Sequence, residues 1–242
     1  MLEFLNLENV LFLDIETVPM CAEYKQLPEN YKKLWDRKAE FLPHRPEETP
    51  EVIFNRAGIF AEFGKVICIS IGAVKIIEGR KTIKLKSFYG DDEKKLLEDF
   101  AQLLNTHYNK KENLLCAHNG KEFDIPYLTR RMMITGIKVP SILDLAGKKP
   151  WEVSTIDTME LWKFGDFKNF TSLELLATIF NIPTPKDDIA GSDVARVYYI
   201  EKNLERIVTY CQKDVLTVAQ LILKYQGKPL IKEEDVTIAQ PR

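Results

Sequence analysis

Two acidic residues, separated by a single position, follow an apolar run near the start of the sequence. The run covers residues 10–13, and Asp14 and Glu16 come directly after it. Side chains two positions apart lie on the same face of an extended strand, so both carboxylates project together. Like charges at this spacing repel each other, and burying them is costly unless a partner compensates. Mg²⁺ or Mn²⁺, which prefer hard oxygen ligands, would compensate them; the alternative is a solvated strand end.

Two further acids and a tyrosine are candidates to join this pair. Asp124 lies where an apolar strand at about 113–118 passes into a helix, at the rim where α/β sheets bind ligands, although a helix cap is a simpler interpretation. Asp214 falls on or beside the apolar stripe of a long helix over about 204–225, and Tyr210 lies one turn earlier on the same face. A buried Asp needs a partner, which a structural hydrogen bond would also supply.

Periodicity and turn residues divide the chain into elements that would position these acids. Strand patterns occupy five segments, at about 9–15, 66–74, 82–89, 113–118 and 151–157. Helical patterns occupy about 29–40, 91–108, 125–135, 158–164, 171–180, 192–200 and 204–225. A hairpin of antiparallel strands followed by strand–helix alternation predicts an α/β fold, with a mixed five-stranded sheet and helices on both faces.

The chain length and the distribution of prolines and charges predict the domain organisation. A length of 242 residues is typical of one large α/β domain, so we expect a single domain over 1–242. Residues 19–63 show no clear strand period and contain several prolines, which indicates an inserted helical and irregular segment over one edge of the sheet. The charged residues at about 228–242 predict a mobile tail.

Composition and charge argue against several classes of protein. Hydrophobic residues make up 45% of the chain and charged residues 29%, as in ordinary soluble proteins. The formal net charge is −2, so nucleic acid would bind through a local patch and not through a global basic field. The four cysteines are scattered without a CxxC pair, which favours reduced thiols over disulfides or zinc. No apolar run approaches 18 residues and no signal peptide is evident, so we expect a cytoplasmic protein without membrane contact.

Three short motifs occur in order along the chain: Asp14-Ile15-Glu16-Thr17, Asn119-x-x-x-Phe123-Asp124 and Tyr210-x-x-x-Asp214. Each is weak alone, but their order, spacing and placement together resemble the three exonuclease motifs of the DEDD superfamily, in its Tyr variant. The second motif resembles that of the proofreading exonuclease domain of family B DNA polymerases. The resemblance covers nearly the whole chain. This chain differs from the polymerase pattern in the long segment between its first two strands and in the lack of a following polymerase domain. It therefore resembles a stand-alone relative.

The resemblance implies a ribonuclease H-like fold and an exonuclease that removes nucleotides from a 3′ end with two Mg²⁺ or Mn²⁺ ions. Two ions can stabilise both the attacking and the leaving oxygen of an in-line displacement. The catalytic residues implied by the motifs are Asp14, Glu16, Asp124, Tyr210 and Asp214.

Each of these residues has an implied role. Asp14, Glu16 and Asp214 would hold the first ion. Asp14 would bridge to the second ion, which Asp124 would reach largely through water. Tyr210 would orient the attacking water, because a phenol with a reference pKa near 10 is a poor general base at neutral pH.

Three residues in the first two motifs are candidate substrate contacts. By resemblance, Thr17 would hydrogen-bond the terminal nucleotide, although it is equally an ordinary strand residue. Asn119 and Phe123 would contact or stack on bases, because stacking on an aromatic ring tolerates any base. Phe123 is equally a core residue.

Other polar and aromatic residues have simpler interpretations. Phe164, Phe167 and Phe170, interleaved with lysines, form a candidate surface for single strands, but a Phe stripe is more often core. Asp157 reads as a helix cap. His118 has no ligand partner at useful spacing and reads as a hydrogen-bonded residue at the rim of the sheet.

Three hypotheses about function remain. The first is a 3′-5′ exonuclease whose partner is single-stranded DNA or the 3′ end of DNA. The second is an exoribonuclease of the same mechanism, which one sequence does not separate from the first because contact with a 2′-hydroxyl would decide. The third is a non-catalytic module that binds nucleic acid or protein. The presence of all four acids and the tyrosine argues against the third, since a binding module has no use for clustered carboxylates that repel each other.

Overall fold

The computed structural model describes residues 2–45, 47–149, 152–166, 170–183 and 189–239. Its strands are β1 (Val10–Pro19), β2 (Gly64–Ile77), β3 (Arg80–Tyr89), β4 (Leu114–Ala117), β5 (Thr155–Asp157) and β6 (Val236–Ile238). Its α-helices are α1 (Glu29–Ala39), α2 (Glu93–His107), α3 (Asp124–Ile134), α4 (Thr158–Lys163), α5 (Leu173–Ile179), α6 (Val194–Arg196) and α7 (Leu204–Tyr225). None of these helices combines the length and the apolar character needed to cross a membrane.

The six strands form one mixed sheet in which β1 is an inner strand. Their order across the sheet is β5-β4-β1-β2-β3-β6. β1 runs antiparallel to β2 and parallel to β4, and β2 and β3 form the predicted hairpin. β5 and β6 extend the two edges in parallel with their neighbours. The predicted α/β class, with a mixed sheet and helices on both faces, is confirmed.

The predicted number of five strands is wrong, because a sixth comes from the segment that we expected to be a mobile tail (228–242). β6 pairs with residues 83–85 of β3 and so satisfies the backbone groups of that edge. Upstream of β6, the side-chain amide of Gln220 donates to the Ile231 carbonyl at 2.8 Å and accepts from the Ile231 N–H at 2.9 Å. These bonds connect the described part of the segment to α7 and the sheet, while its predicted mobility stays a prediction.

The alternation of side chains along β1 assigns its residues to two apolar cores. Leu11, Leu13 and Ile15 pack on one face with residues of α2 and α3. Val10 and Phe12 pack on the opposite face with residues of α7. Asp14 follows Val10 and Phe12 in the same alternation, so the strand directs its side chain toward α7.

A glycine in β2 lets α7 lie close to the sheet. A Cβ built at Gly72 would lie 2.9 Å from Cγ1 of Val215 in α7 and 2.9 Å from Cδ1 of Ile83 in β3. Such contacts are shorter than van der Waals separation, so a larger residue at this position would push α7 outward. Gly72 therefore helps to set the distance between β1 and the α7 residues Tyr210 and Asp214.

The inserted segment between β1 and β2 folds around an aromatic cluster of its own. It contains α1, which confirms the helix predicted there, and a 3₁₀ helix at Val52–Ile59. Trp35 is fully buried, and its ring packs edge-on against Phe54 and Phe63 with ring centroids 5.5 Å and 5.4 Å away. This satellite core lets the insertion keep its shape beside the main sheet.

The insertion lies against the carboxyl end of β1. A Cβ built at Gly58 would lie only 2.9 Å from the carbonyl carbon of Val18. The Tyr127 hydroxyl of α3 donates to the Gly58 carbonyl at 2.8 Å. The insertion and α3 therefore meet next to the strand end that carries Asp14 and Glu16.

Candidate active site

The first motif lies where β1 departs from regular pairing with β2. Within β1, Asp14 is opposite Ser70 and Glu16 is opposite Cys68, and the register shifts between Glu16 and Thr17. A β-bulge at this point bends the strand and re-aims the side chains around it. Glu16 is only 7% exposed, which is unusual burial for a glutamate.

The carboxylate of Asp14 is buried and incompletely compensated. Its Oδ2 atom is inaccessible to solvent and has no hydrogen-bond partner in the described part of the chain. Burial raises the pKa of Asp14 well above its usual value, and the neighbouring Glu16, Asp214 and Asp124 raise it further. A nearby Cys211 hydrogen bond opposes them. The folded chain therefore holds several acids close together in a place where their negative charge is costly.

Glu16 experiences the same environment. Burial is the largest cause of its raised pKa, and the neighbouring Cys68, Asp214 and Asp124 act in the same direction. We call Asp14, Glu16, Asp124 and Asp214 the acidic cluster. The structure thus brings the four predicted acids near enough to perturb one another.

Asp124 is more than a helix cap. It is the first residue of α3, is 4% exposed, and accepts a hydrogen bond from the Ile15 N–H of β1 at 3.2 Å. Burial raises its pKa to about 7, although this bond opposes the shift. A Cβ built at the nearby Gly120 would lie 2.4 Å from the Ala117 Cβ and 3.6 Å from Asp124 Oδ2. The glycine therefore allows the tight turn that places Asp124 next to β1.

The long helix α7 supplies the third motif. Tyr210 and Asp214 are partly exposed on the side of the helix that faces the acidic cluster. Burial raises the pKa of Tyr210, and Asp214, Glu16 and Asp14 raise it further, with a hydrogen bond to Asp214 contributing. The phenol therefore stays protonated at neutral pH.

Cys211 is a site residue that sequence reasoning missed as such. Its Sγ contacts the Asp14 carbonyl at 3.4 Å, and Asp14, Glu16 and Cys211 each place a potential ligand atom within 4.8 Å of the others. The other two acids lie outside this tightest group of described residues. Cys211 fits the apolar stripe of α7, so only its position next to Tyr210 could have indicated a role.

Of the three predicted substrate contacts, Thr17 follows Glu16 and Phe123 precedes Asp124 in the sequence, and the environments of the three side chains differ. Thr17 is half-buried and hydrogen-bonded to Tyr127. Asn119 has a left-handed backbone with φ 61°, and its buried Oδ1 has no partner among the described residues. Phe123 packs against the main core with its ring centroid 5.4 Å from that of Tyr127, which favours the core interpretation.

Asp157 is the predicted helix cap and also holds the loop of the second motif. It accepts from the N–H groups of Met159 and Glu160 at the start of α4. It also accepts from the N–H groups of Asn119 and Lys121, both at 3.0 Å. The second function joins β5 to the segment that leads to Asp124.

His118 is hydrogen-bonded within the protein, whereas the described phenylalanines of the candidate single-strand surface are exposed. His118 is hydrogen-bonded through both ring nitrogens, to Thr158 and to the Thr171 carbonyl, which confirms the predicted rim role. Phe164 and Phe170 are 76% and 72% exposed, so the core interpretation is wrong for them. Phe167 lies outside the described residues.

The chain is similar to a family of predicted exonucleases and to several archaeal DNA polymerases. A family model of predicted 3′-5′ exonucleases related to the exonuclease domain of PolB matches residues 60–232, well over half of the chain. The matched range contains the second and third motifs and leaves out the first.

The chain also resembles archaeal DNA polymerases. It is 23% identical over 187 residues to a DNA polymerase of Pyrococcus glycovorans, 26% over 176 residues to DNA polymerase 1 of Pyrococcus abyssi, and 24% over 190 residues to a DNA polymerase of Thermococcus gorgonarius. These matches cover 71%, 66% and 71% of this chain. They cover only 23%, 22% and 23% of the polymerases, so the chain spans less than a quarter of its relatives' length. The chain belongs to the family of predicted 3′-5′ exonucleases related to the exonuclease domain of PolB, with a ribonuclease H-like α/β fold.

Proposed function

We propose that this chain is a metal-dependent 3′-5′ exonuclease that removes nucleoside monophosphates from the 3′ end of DNA, with a preference for single-stranded ends. The observation that carries the proposal is the buried acidic cluster, in which Asp14 Oδ2 has no partner among the described residues. A structural role would require the opposite arrangement, because buried carboxylates stabilise a fold only when they are paired. Family membership supplies the reaction class.

The residues present fit a pair of Mg²⁺ or Mn²⁺ ions. All four acids offer hard oxygen donors, and the unpartnered Asp14 Oδ2 is an available ligand atom. Asp14, Glu16 and Asp214 would hold one ion, and Asp14 and Asp124 would reach the other. When bound, such ions lower the pKa of water and stabilise the charge that develops on the attacked phosphate.

Tyr210 would orient the attacking water and would not deprotonate it. Its raised pKa keeps the hydroxyl protonated, so the group is available as a hydrogen-bond donor but not as a base. Its hydrogen bond to Asp214 would fix the position of the ring and hydroxyl relative to the cluster. Asp214 would thus position Tyr210 in addition to binding metal.

The substrate end would contact Thr17, Asn119 and Phe123. The unpartnered Oδ1 of Asn119 is the group best suited to accept a hydrogen bond from a base or sugar, because it is buried and otherwise unsatisfied. A blunt 3′ end must fray before one strand can enter, and unpairing costs a few kcal/mol per step. The net charge of −2 supplies little general phosphate attraction to offset that cost, which favours ends that are already single-stranded.

The proposal is tested by following 5′-labelled oligonucleotides on a gel over time with Mg²⁺ or Mn²⁺. We expect a ladder that shortens from the 3′ end, faster for single strands and 3′ overhangs than for blunt duplexes. A chelator should stop the reaction, and so should a 3′-terminal phosphate. RNA of the same sequence, run in parallel, would replace DNA as the proposed substrate if it is degraded faster.

Two results would overturn the proposal. Internal cuts in a closed circular single strand would identify an endonuclease, and shortening from the 5′ end would give the wrong polarity. Tight binding of single strands without any hydrolysis, in either metal, would favour the non-catalytic module instead.

A further inference from the structure

A sulfur atom lies beside the carboxylates of the acidic cluster. Cys211 Sγ lies within 4.8 Å of carboxylate oxygens of both Asp14 and Glu16, and the two oxygens lie within the same distance of each other. Cys211 is completely buried and forms no disulfide. Three potential ligand atoms of two chemical kinds therefore converge on one point between β1 and α7.

This set of donors differs from a site made of oxygen alone. Carboxylates suit Mg²⁺ and Mn²⁺, whereas thiolate sulfur selects softer ions such as Zn²⁺ and Cd²⁺. A tetrahedral Zn²⁺ with Zn–S near 2.3 Å and Zn–O near 2.1 Å holds sulfur and oxygen about 3.6 Å apart. The side chains would have to close by about 1 Å from their present limit of 4.8 Å to reach that geometry, which rotamer adjustments can supply.

The present bonds of these groups leave ligand positions available. The Sγ contact with the Asp14 carbonyl, at 3.4 Å, is a weak thiol hydrogen bond. Asp14 Oδ2 is buried and has no partner in the described part of the chain. The neighbouring thiol of Cys68 adds a second sulfur near Cys211 and Glu16. A thiophilic cation would supply positive charge to the two carboxylates and bind the sulfur at the same time.

We propose that Asp14, Glu16 and Cys211 form a binding site for a thiophilic divalent ion of the Zn²⁺ class, with the Cys211 proton released on binding. The ion occupies carboxylates that the proposed nuclease needs for Mg²⁺ or Mn²⁺, so it acts as an inhibitor. The inhibitory consequence rests on the proposed function, but the metal site itself does not.

The probe is Cd²⁺, whose bond to thiolate sulfur gives a charge-transfer absorption in the ultraviolet. The parent protein carries Cys21→Ser and Cys68→Ser, which remove the partly exposed thiol and the second thiol near Cys211. We expect the parent to develop this absorption with one equivalent of Cd²⁺. Adding Cys211→Ser, which keeps a hydroxyl of similar size, should abolish it. Adding Cys116→Ser, which removes an equally buried thiol in β4, should leave it unchanged.

A second variant tests the carboxylate ligands. Glu16→Gln keeps the sulfur but removes one charged donor, so the absorption should persist while the Cd²⁺ affinity falls at least about tenfold. Far-ultraviolet circular dichroism establishes that each variant is folded before titration. The titration needs no nuclease activity, so it can succeed or fail independently of the proposed function.

The proposal is overturned if the absorption survives Cys211→Ser in a folded protein, or if no absorption develops in the parent. Unchanged Cd²⁺ affinity in Glu16→Gln would overturn the assignment of the carboxylate. If the absorption behaves as expected but Zn²⁺ leaves Mg²⁺-dependent hydrolysis intact, the inhibitory role is wrong.

Discussion

The single carboxylate of Glu93 and the carboxylates of the acidic cluster lie in opposite electrostatic environments. Glu93, at the start of α2, accepts from Arg131 Nε at 2.8 Å, from the terminal guanidinium nitrogen of Arg131 at 2.6 Å and from the Val66 N–H at 2.8 Å. Arg131 also donates to the Ala61 carbonyl. Asp14 lies near other acids, and its Oδ2 has no partner among the described residues.

This difference in hydrogen bonding distinguishes a carboxylate that stabilises the fold from carboxylates that are candidates for a function. A fully hydrogen-bonded buried ion pair is compensated within the protein, and removing one partner leaves the other exposed to the full cost of burial. An uncompensated carboxylate lowers stability, and such groups cluster at functional sites, where a ligand from outside the chain can compensate them. The Glu93–Arg131 pair therefore stabilises the fold, whereas on the proposed function a cation would compensate the acidic cluster.

The largest effect should come from Asp14→Asn. The variant should lose at least about 10³-fold in nuclease activity, because ion-dependent charge stabilisation is worth several kcal/mol. Its stability without metal should be unchanged or slightly raised, since repulsion in the cluster decreases. Asp144→Asn, at an exposed aspartate, is the matched control and should retain activity. Normal turnover by purified Asp14→Asn would refute the assignment of the cluster.

The opposite result is expected for Glu93→Gln. The substitution preserves shape but leaves Arg131 buried without its counter-charge, so the free energy of unfolding should fall by roughly 3–5 kcal/mol. Urea denaturation of the metal-free protein measures the change. A loss smaller than about 1 kcal/mol would mean that the Glu93–Arg131 pair contributes little to the stability of the fold.

The acidic cluster should also make the metal-free protein less stable as pH rises. The pKa of Asp124 is about 7 in the folded chain, against about 4 when unfolded, so the folded state binds more protons between those values. The contribution of Asp124 to stability is then largest below pH 4 and falls until about pH 7, by at most about 4 kcal/mol.

Urea denaturation in a chelator at several pH values tests this dependence. Asp124→Asn should show a shallower decline than the wild type, while Asp14 and Glu16, whose pKa values are also raised, keep part of it. Parallel pH curves for the two proteins would contradict the assignment of Asp124 to the cluster.

A smaller effect is expected for Tyr210→Phe, which removes the hydroxyl and keeps the ring. If the hydroxyl only orients water, turnover should fall by roughly 10–100-fold, at the low end for positioned groups. Metal affinity, measured by calorimetry, should stay the same. A loss as complete as in Asp14→Asn would give Tyr210 a larger role.

Much of the fold and of the acidic cluster could be predicted because the signals are local and periodic. The alternation in β1 and the long stripe of α7 each span ten residues or more, and they carry three of the four acids. The helix predicted over 204–225 matches α7 in full. Asp124 could be located because a short apolar strand precedes it.

The features that escaped prediction depend on contacts between distant parts of the chain. β6 is three residues long, too short for a period, and exists because β3 offers an open edge. Glu93 and Arg131 are 38 residues apart on different helices, and neither position suggests the other. Cys211 has the sequence pattern of a core cysteine, and only the packing of α7 against β1 shows that it lies beside Asp14.

The most direct test of the central claim is the melting temperature of the wild type and of Asp14→Asn as Mg²⁺ or Mn²⁺ is added. Ions that bind only the folded state stabilise it by mass action, by about 2.7 kcal/mol at one hundred times the dissociation constant. We predict that the melting temperature of the wild type rises with the concentration of either ion, and that the rise largely vanishes in Asp14→Asn. Equal shifts in the two proteins, or no shift in the wild type, would contradict the claim that the acidic cluster is built to hold metal.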